Sequence, residues 1–188
     1  MQTVSTPAQV EVDPTWNIWT LLSRRVNTTP DETVVEVQED DGTWRPLSAA
    51  GFADEATAVA KGLVALGIKP GDRVAIMSRT RYEWTLLDYA IWAAGAVPVP
   101  IYETSSVEQI TWICSDADVK AVVVETAAHR LLVEAARATL PALTLLWQID
   151  SGDVETLKEV GAAIPTAEIE ERRTAAAFLD LATIIYTS

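Results

Sequence analysis

The sequence is poor in cysteine, histidine and basic residues. Cys114 is its single cysteine and His129 its single histidine among 188 residues. One cysteine cannot form an intrachain disulfide, which excludes a disulfide-stabilised scaffold and fits a reducing compartment. Only 14 Lys and Arg stand against 27 Asp and Glu, so the formal net charge is −13. This charge argues against binding to nucleic-acid phosphates and against electrostatic docking on anionic lipid.

Long hydrophobic runs are also missing. The longest stretch without a charged residue, residues 89–102, is interrupted by prolines. It is shorter than the roughly 18 to 20 apolar residues that a membrane-spanning helix needs. The first residues have neither the basic start nor the apolar core of a secretory signal. We therefore expect a cytoplasmic protein without a transmembrane segment and without a nucleic-acid partner.

Complete catalytic signatures are absent as well. The sequence contains no G-x-G-x-x-G, no G-x-x-x-x-G-K-S/T, no H-E-x-x-H, no C-x-x-C and no G-x-S-x-G. His129 falls on a predicted amphipathic helix, and Cys114 has no neighbouring base to activate its thiol, so both are interpreted as structural residues. The carboxylates of Asp116, Asp118 and residues 168–171 lie in polar sequence, and we interpret them as solvated.

The fold class follows from two short apolar runs, residues 73–77 and 97–101, and the segment between them. Each run is typical of a buried strand, and the intervening apolar residues recur at helical spacing. Thr80 and Glu83 match a capping box at the start of that helix, and Gly95 matches a left-handed stop at its end. Strand, helix and strand predict a βαβ unit of a parallel sheet. The two prolines in the second run predict either an edge strand or a strand that soon bends.

The same alternation extends along the chain and predicts an α/β fold with a doubly wound, largely parallel sheet and flanking helices. We divide the sequence into a polar arm (1–15), a helix and β-hairpin belonging to a neighbouring subdomain (16–48), and an α/β subdomain (49–188). Asp41-Gly42 predicts a type I′ turn in the hairpin.

Further elements are predicted within the α/β subdomain. Ser48 and Thr126 are predicted helix caps, and Ser106 with Gln109 matches a second capping box. The acidic stretch 150–173 predicts two short helices in a surface excursion or at a subdomain boundary. More strands are expected at residues 119–124, 143–147 and 181–186.

The candidate site is the tripeptide Tyr186-Thr187-Ser188, which follows the predicted strand 181–186. Open α/β sheets bind ligands at the carboxyl ends of their strands. Hydroxyl groups beside free backbone amides suit phosphate oxygens. The tripeptide is therefore a candidate phosphate-binding element.

Four stretches together resemble the AMP-forming acyl-CoA synthetases of the adenylate-forming superfamily, and most of all the bacterial long-chain fatty acid type. They are GLVALGIKPGDRVAIMS, YEWTLLDYAIWAAGAVPVPIYETSS, SDADVKAVVV and TIIYTS. The phosphate loop of that family has the approximate sequence Y-T-S-G-T-T-G-x-P-K-G. The resemblance implies that Tyr186, Thr187 and Ser188 begin an ATP phosphate loop, with Thr187 as a candidate magnesium ligand.

The resemblance also implies a reaction, and it implies that much of the enzyme lies outside this sequence. In the family a fatty acid and Mg-ATP form an acyl-adenylate and pyrophosphate, and coenzyme A then displaces AMP. ATP, magnesium and CoA are thus the expected cofactors of the parent enzyme, and fatty acid and CoA its expected substrates. None of the cofactors is expected to bind tightly to this chain alone. The catalytic and acyl-pocket residues of the family correspond to no position here. We expect an N-terminal fragment that is inactive alone, with an uncovered apolar face that favours self-association and with peripheral membrane contact of the parent enzyme.

Two alternatives stay open at the level of sequence. The chain could be a self-contained, non-catalytic α/β binding or interaction module, because it carries no complete catalytic motif. It could also derive from another adenylate-forming enzyme, such as an aryl-CoA ligase or a peptide-synthetase adenylation domain. These other members match the PVPIYETSS stretch less well.

Overall fold

The computed structural model describes residues 13–39 and 41–187, so most of the predicted arm and Ser188 lie outside the described residues. Its strands form a two-stranded antiparallel hairpin and a four-stranded parallel sheet of order β4-β3-β5-β6. The strands are β1 (Thr33–Gln38), β2 (Trp44–Ser48), β3 (Arg73–Met77), β4 (Val97–Ile101), β5 (Val119–Val124) and β6 (Leu145–Gln148). The predicted α/β class, with its parallel sheet and hairpin, is confirmed.

Helices cover both faces of the parallel sheet. They are α1 (Ile18–Thr28), α2 (Ala49–Ala65), α3 (Tyr82–Ala93), α4 (Val107–Asp116), α5 (Ala127–Arg137), α6 (Asp153–Val160) and α7 (Thr166–Ala175). One core packs α1, α2, α3, α6 and α7 against one face of the sheet, and a second core packs α4 and α5 against the other. Strand β3 contributes Val74 and Ile76 to the first core and Ala75 and Met77 to the second. Its continuous apolar run therefore reflects burial on both faces.

Local sequence signals predicted most helix ends correctly. The side chains of Ser48, Ser106 and Thr126 accept hydrogen bonds from backbone amides at the starts of α2, α4 and α5. At the end of α3, Gly95 has φ +76°, and the amides of Gly95 and Ala96 donate to earlier carbonyls of the helix. This is a Schellman motif. It needs one residue in the left-handed backbone conformation, which glycine adopts without a Cβ clash. The predicted helix stop at Gly95 is confirmed.

The capping box predicted at Thr80 and Glu83 is wrong. Helix α3 begins at Tyr82, and Arg81 occupies the N-cap position without a side-chain cap. The Glu83 carboxylate instead binds the Arg81 guanidinium at 2.7 and 3.0 Å. A bidentate, charge-assisted pair is stronger than the single hydrogen bond that a capping carboxylate would make to a backbone amide.

The hairpin loop also differs from the predicted type I′ turn. Gly42 has φ +84°, but its amide donates to the Glu39 carbonyl, and the Glu39 amide donates to the Thr43 carbonyl. Pairing therefore starts at Glu39 and Thr43, so the loop is one residue longer than predicted. Longer loops that end in a left-handed glycine are the next most common hairpin connection after two-residue turns.

The acidic stretch after β6 is not a surface excursion. Its two helices, α6 and α7, place Leu157 and Ile169 in the core, where their exposed fractions are 1% and 0%. Helix α6 and the turn after it approach α2 so closely that Gly62 faces the backbone of Leu157 and Gly161 faces the backbone of Gly62. The two short helices were predicted, but their role in the core was not, because acidic outer faces dominate the composition of this stretch.

The predicted strand 181–186 does not form. The segment lies beside the outer edge of β4, where the Ile184 amide donates to the Pro98 carbonyl at 3.2 Å. Within one strand residue the N–H and C=O groups point to the same side, so Pro98 and Pro100 present carbonyls but no donors to this edge. A continuous ladder is therefore impossible, and the segment is held by isolated contacts.

Candidate functional site

The topology places a crevice between the carboxyl ends of β3 and β5. From β3 the chain moves through α3 to β4 on one side, and then through α4 to β5 on the other side of β3. Helices α3 and α4 belong to the cores on opposite faces of the sheet. The chain thus reverses its winding at β3 and β5, and open α/β sheets bind ligands at such a switch point. The residues immediately after these strands are Ser78 and Glu125.

A buried carboxylate occupies this switch point. Glu125 is 3% exposed, and its carboxylate accepts from the Arg79 amide at 3.1 Å and pairs with the Arg79 Nε at 2.7 Å. The Ser78 hydroxyl, also buried, donates to the Arg79 carbonyl at 2.9 Å. Because a buried charge is costly without partners, these bonds hold the loop after β3 against the end of β5.

Arg81 extends the network to the end of β6. Its guanidinium pairs with Glu83 at 2.7 Å, with Asp150 after β6 at 2.8 Å, and with Glu125 at 3.5 Å. The hydrogen bond to Glu83 is the largest cause of a raised pKa of Arg81, so the guanidinium remains charged at any physiological pH. Two arginines and three carboxylates therefore lie at the carboxyl ends of these strands. The Arg79 side chain remains 71% exposed.

We predict that Glu125→Ala destabilises the protein by about 2 kcal/mol, since charge-assisted hydrogen bonds in a buried site are lost. Glu125→Gln keeps an acceptor for the Arg79 amide and is expected to cost less. Urea unfolding followed by circular dichroism measures both. Glu159→Ala, which removes an exposed carboxylate from α6, is the matched control. Equal stability of Glu125→Ala and this control would show that the network contributes nothing.

The sequence-predicted site residues lie elsewhere, beside α4. The Tyr186 hydroxyl donates to Asp116 Oδ2 at 2.7 Å, and its ring packs edge-to-face against Trp112. Partial burial, followed by the bond to Asp116, raises the pKa of Tyr186 to about 12. Thr187 is exposed, and Ser188 lies outside the described residues. Among the described hydrogen bonds and ion pairs, none joins Tyr186 or Thr187 to the Glu125 network.

The remaining candidate residues behave mostly as interpreted. Cys114 is buried in the core of α4 and α5, and burial raises the pKa of its thiol to about 12. His129 is half-buried on α5. Asp116 and Asp118 were both interpreted as solvated, but Asp118 pairs with Arg73 at 2.7 Å and Asp116 accepts the Tyr186 hydroxyl. Within residues 13–39 and 41–187, no group of three or more His, Cys, Asp or Glu side chains could hold a metal ion.

Sequence reasoning missed the Glu125 network. A usable signal was present, since a charged residue directly follows the apolar run of β5 and Ser-Arg directly follows that of β3. Parallel strands bring their carboxyl ends to one side of the sheet, so these residues meet if β3 and β5 are neighbours. The strand order, which decides that β3 and β5 are neighbours, was not available from sequence.

A large apolar cleft opens on the opposite side of the sheet, at the amino ends of the strands. It has a volume of about 720 Å³ and is bordered by Trp16, Trp92, Phe178 and Leu181, near the amino end of β4. Ligands of open α/β sheets bind at carboxyl ends, so this cleft is not the candidate site. It does expose apolar surface, because Phe178 and Leu181 are about half exposed.

No helix in the described part of the chain combines the length and the apolar character required to cross a membrane.

The doubly wound sheet, with charged residues at its switch point, has the architecture in which open α/β proteins bind ligands. The chain belongs to the AMP-binding enzyme family, whose model matches residues 22–188. The resemblance drawn from the sequence is thereby confirmed.

Two curated relatives cover the whole chain. It is 40% identical over 191 residues to the long-chain-fatty-acid–CoA ligase FadD15 of Mycobacterium bovis and 39% identical to FadD15 of Mycobacterium tuberculosis. The chain spans 32% of the length of each, about a third. A 2-succinylbenzoate–CoA ligase of Bacillus cereus is 29% identical over 62% of the chain.

Solved structures agree with this placement. A fatty acyl CoA synthetase of Mycobacterium tuberculosis superposes with a TM-score of 0.65 at 26% identity, covering 92% of this chain and 32% of the other. VinN with bound 3-methylaspartate gives a TM-score of 0.71 at 23% identity and covers 95% of this chain. At that identity the second comparison supports the fold alone.

Proposed function

We propose that this chain is the N-terminal part of an AMP-forming long-chain fatty acid–CoA ligase. The complete enzyme would convert ATP, a fatty acid and CoA into acyl-CoA, AMP and pyrophosphate through an acyl-adenylate. The observation that carries the proposal is 40% identity to a long-chain-fatty-acid–CoA ligase along the entire chain, over 32% of that ligase. The same coverage supports a longer parent protein. The proposed divisions of this chain are residues 1–15, 16–48 and 49–188.

Within this chain, the proposed role of Tyr186, Thr187 and Ser188 is to begin the loop that binds the ATP phosphates. The exposed Thr187 hydroxyl has no hydrogen-bond partner among the other described residues, which fits a group available to a phosphate oxygen or to magnesium. Magnesium in nucleotide sites is bound by one or two protein oxygens together with phosphates and water. The single hydroxyl of Thr187 fits that pattern. It would help to orient the phosphates, from which the metal would withdraw negative charge.

The remainder of the chain has a proposed scaffolding role. The Glu125 network holds the loops after β3, β5 and β6 in place, and the sheet edge at β4 carries the segment that leads to Thr187. Residues for adenine, CoA and the acyl chain have no assignment here. We also propose a cytoplasmic location and peripheral membrane contact for the complete enzyme, and self-association of the isolated chain through its exposed apolar cleft.

The decisive experiment compares the 188-residue chain with the longer protein encoded by the same gene. Incubated with Mg-ATP, palmitate and CoA, the longer protein is expected to release AMP and pyrophosphate in step with palmitoyl-CoA. The isolated chain is expected to release neither. A longer protein that folds but forms no acyl-adenylate with any fatty acid would refute the ligase. Turnover by the isolated chain at roughly 1 per second, a common enzyme rate, would refute its inactivity.

A further inference from the structure

The segment before Thr187 is held by three separate elements: side chains of α3 and α4 and a backbone carbonyl of β4. Because β4 offers no ladder of donors at its outer edge, each contact is individual. The contacts are Trp92 Nε1 to the Ala182 carbonyl at 2.7 Å, Thr183 Oγ1 and the Ile184 amide to the Pro98 carbonyl at 3.0 and 3.2 Å, and Tyr186 to α4.

The contact with α4 is the one closest to Thr187. Trp112 and Asp116 are four residues apart, so they lie on the same face of the helix. The Trp112 ring meets the Tyr186 ring edge-to-face, with centroids 5.1 Å apart and planes at 76°. The Asp116 carboxylate accepts the Tyr186 hydroxyl at 2.7 Å. Together these two residues form a seat for Tyr186, which we call the α4 seat.

The core does not require either residue of the α4 seat. Helix α4 buries Ile110, Ile113 and Cys114, whereas Trp112 is 60% exposed and Asp116 is exposed. The ring contact and hydrogen bond to Tyr186 are the specific interactions that these two side chains make in the described structure. Their placement is therefore explained by Tyr186 and not by packing of the helix.

We propose that Trp112 and Asp116 are positioning residues that fix the start of the phosphate loop through Tyr186. With its ring and hydroxyl both held, Tyr186 sets the direction in which the backbone and hydroxyl of Thr187 point. A binding loop that is fixed in advance loses less entropy when its ligand binds. This inference rests on the proposed phosphate-binding role of Thr187 and Ser188.

The first test measures the α4 seat in the 188-residue chain. Amide hydrogen exchange at Ile184 is expected to accelerate about tenfold or more in Asp116→Ala and in Trp112→Leu. Asp116→Asn and Trp112→Phe retain an acceptor and a ring, so we expect both to restore most of the protection. Glu159→Gln, on a helix packed against the opposite sheet face, is the control and is expected to change nothing.

Hydrogen-bond coupling gives a sharper version of the same test. Tyr186→Phe removes the donor and Asp116→Ala the acceptor of one bond. If that bond acts in solution, the exchange rate of the double variant equals that of either single variant. Additive effects would overturn the α4 seat, as would unchanged exchange in Asp116→Ala.

The second test separates positioning from folding, using the longer ligase. Asp116→Ala and Trp112→Leu are expected to raise KM for Mg-ATP about tenfold and leave KM for CoA unchanged. Asp116→Asn is expected to stay near wild type. An equal rise in both constants, or none, would overturn the positioning role even if exchange at Ile184 had changed.

The two tests also distinguish this inference from the proposed function. If the wild-type longer protein forms no acyl-adenylate, the ligase proposal fails and the phosphate role of the loop fails with it. Hydrogen exchange in the isolated chain then still decides whether the α4 seat holds Tyr186.

Discussion

Replacing Gly62 with alanine is expected to lower the free energy of unfolding by about 3 kcal/mol, the upper end of the usual cost of overpacking. A Cβ atom at this position would lie 2.1 Å from the backbone carbonyl oxygen of Leu157. The obstacle is backbone of α6, so no side-chain rotation relieves it. Gly161 faces the same contact from the other side, where its Cβ would lie 2.3 Å from the Gly62 nitrogen.

The sign of this effect is what makes it diagnostic. Gly62 lies inside α2, where alanine is normally more stable than glycine by roughly 0.5 to 1 kcal/mol. Gly51→Ala in the same helix is the matched control, because the nearest atom there is the flexible Leu47 side chain at 3.0 Å. We expect that variant to stay within about 1 kcal/mol of wild type. Urea unfolding measures both, and a Gly62→Ala protein as stable as wild type would mean that α6 does not dock on α2.

Thr187→Val is expected to reduce kcat/KM for Mg-ATP about 100-fold in the proposed longer ligase. The magnitude is that of removing one preorganised hydrogen-bond donor from a site where charge develops during the reaction. Valine keeps the size and branching of threonine but offers phosphate oxygens no hydroxyl. Because Thr187 is exposed, the substitution leaves the described core intact.

Thr174→Val provides the control for this experiment. The Thr174 hydroxyl donates to the Glu170 carbonyl of its own helix, α7, which packs on the sheet face opposite α4. That variant is expected to retain wild-type kinetics. If Thr187→Val also retains them while unfolding at the same urea concentration as wild type, Thr187 has no role at the ATP phosphates.

Much of the fold was predictable because its signals are local. The apolar run of β3 predicts burial on both faces, and the side-chain caps at Ser48 and Ser106 each lie within three residues of the amide that they satisfy. Gly95 ends α3 because the left-handed conformation is accessible to glycine at low cost. The prolines of β4 predicted either an edge strand or a strand that soon bends, and β4 lies at the edge of the sheet.

Parts of the candidate site were not predictable for the opposite reason. Glu83 was assigned to a cap from its spacing to Thr80, but it binds Arg81. Arg81 in turn also reaches Asp150, 69 residues away. A charged side chain can pair with any partner that the fold brings near it. Sequence spacing indicates only those partners that are close along the chain. The same limit applies to Asp116, whose partner Tyr186 is 70 residues away.

The sequence by itself determined the α/β class, the positions of most helices and strands, and the family of the chain, because these depend on neighbouring residues and on motif identity. Only the tertiary structure decided that Glu125 is buried at the switch point, that α6 packs on α2, and that residues 181–186 are held without forming a strand. Each of these depends on the order of strands and on contacts between distant residues. The free energy of such contacts comes from burial and pairing in space, which local sequence patterns do not encode.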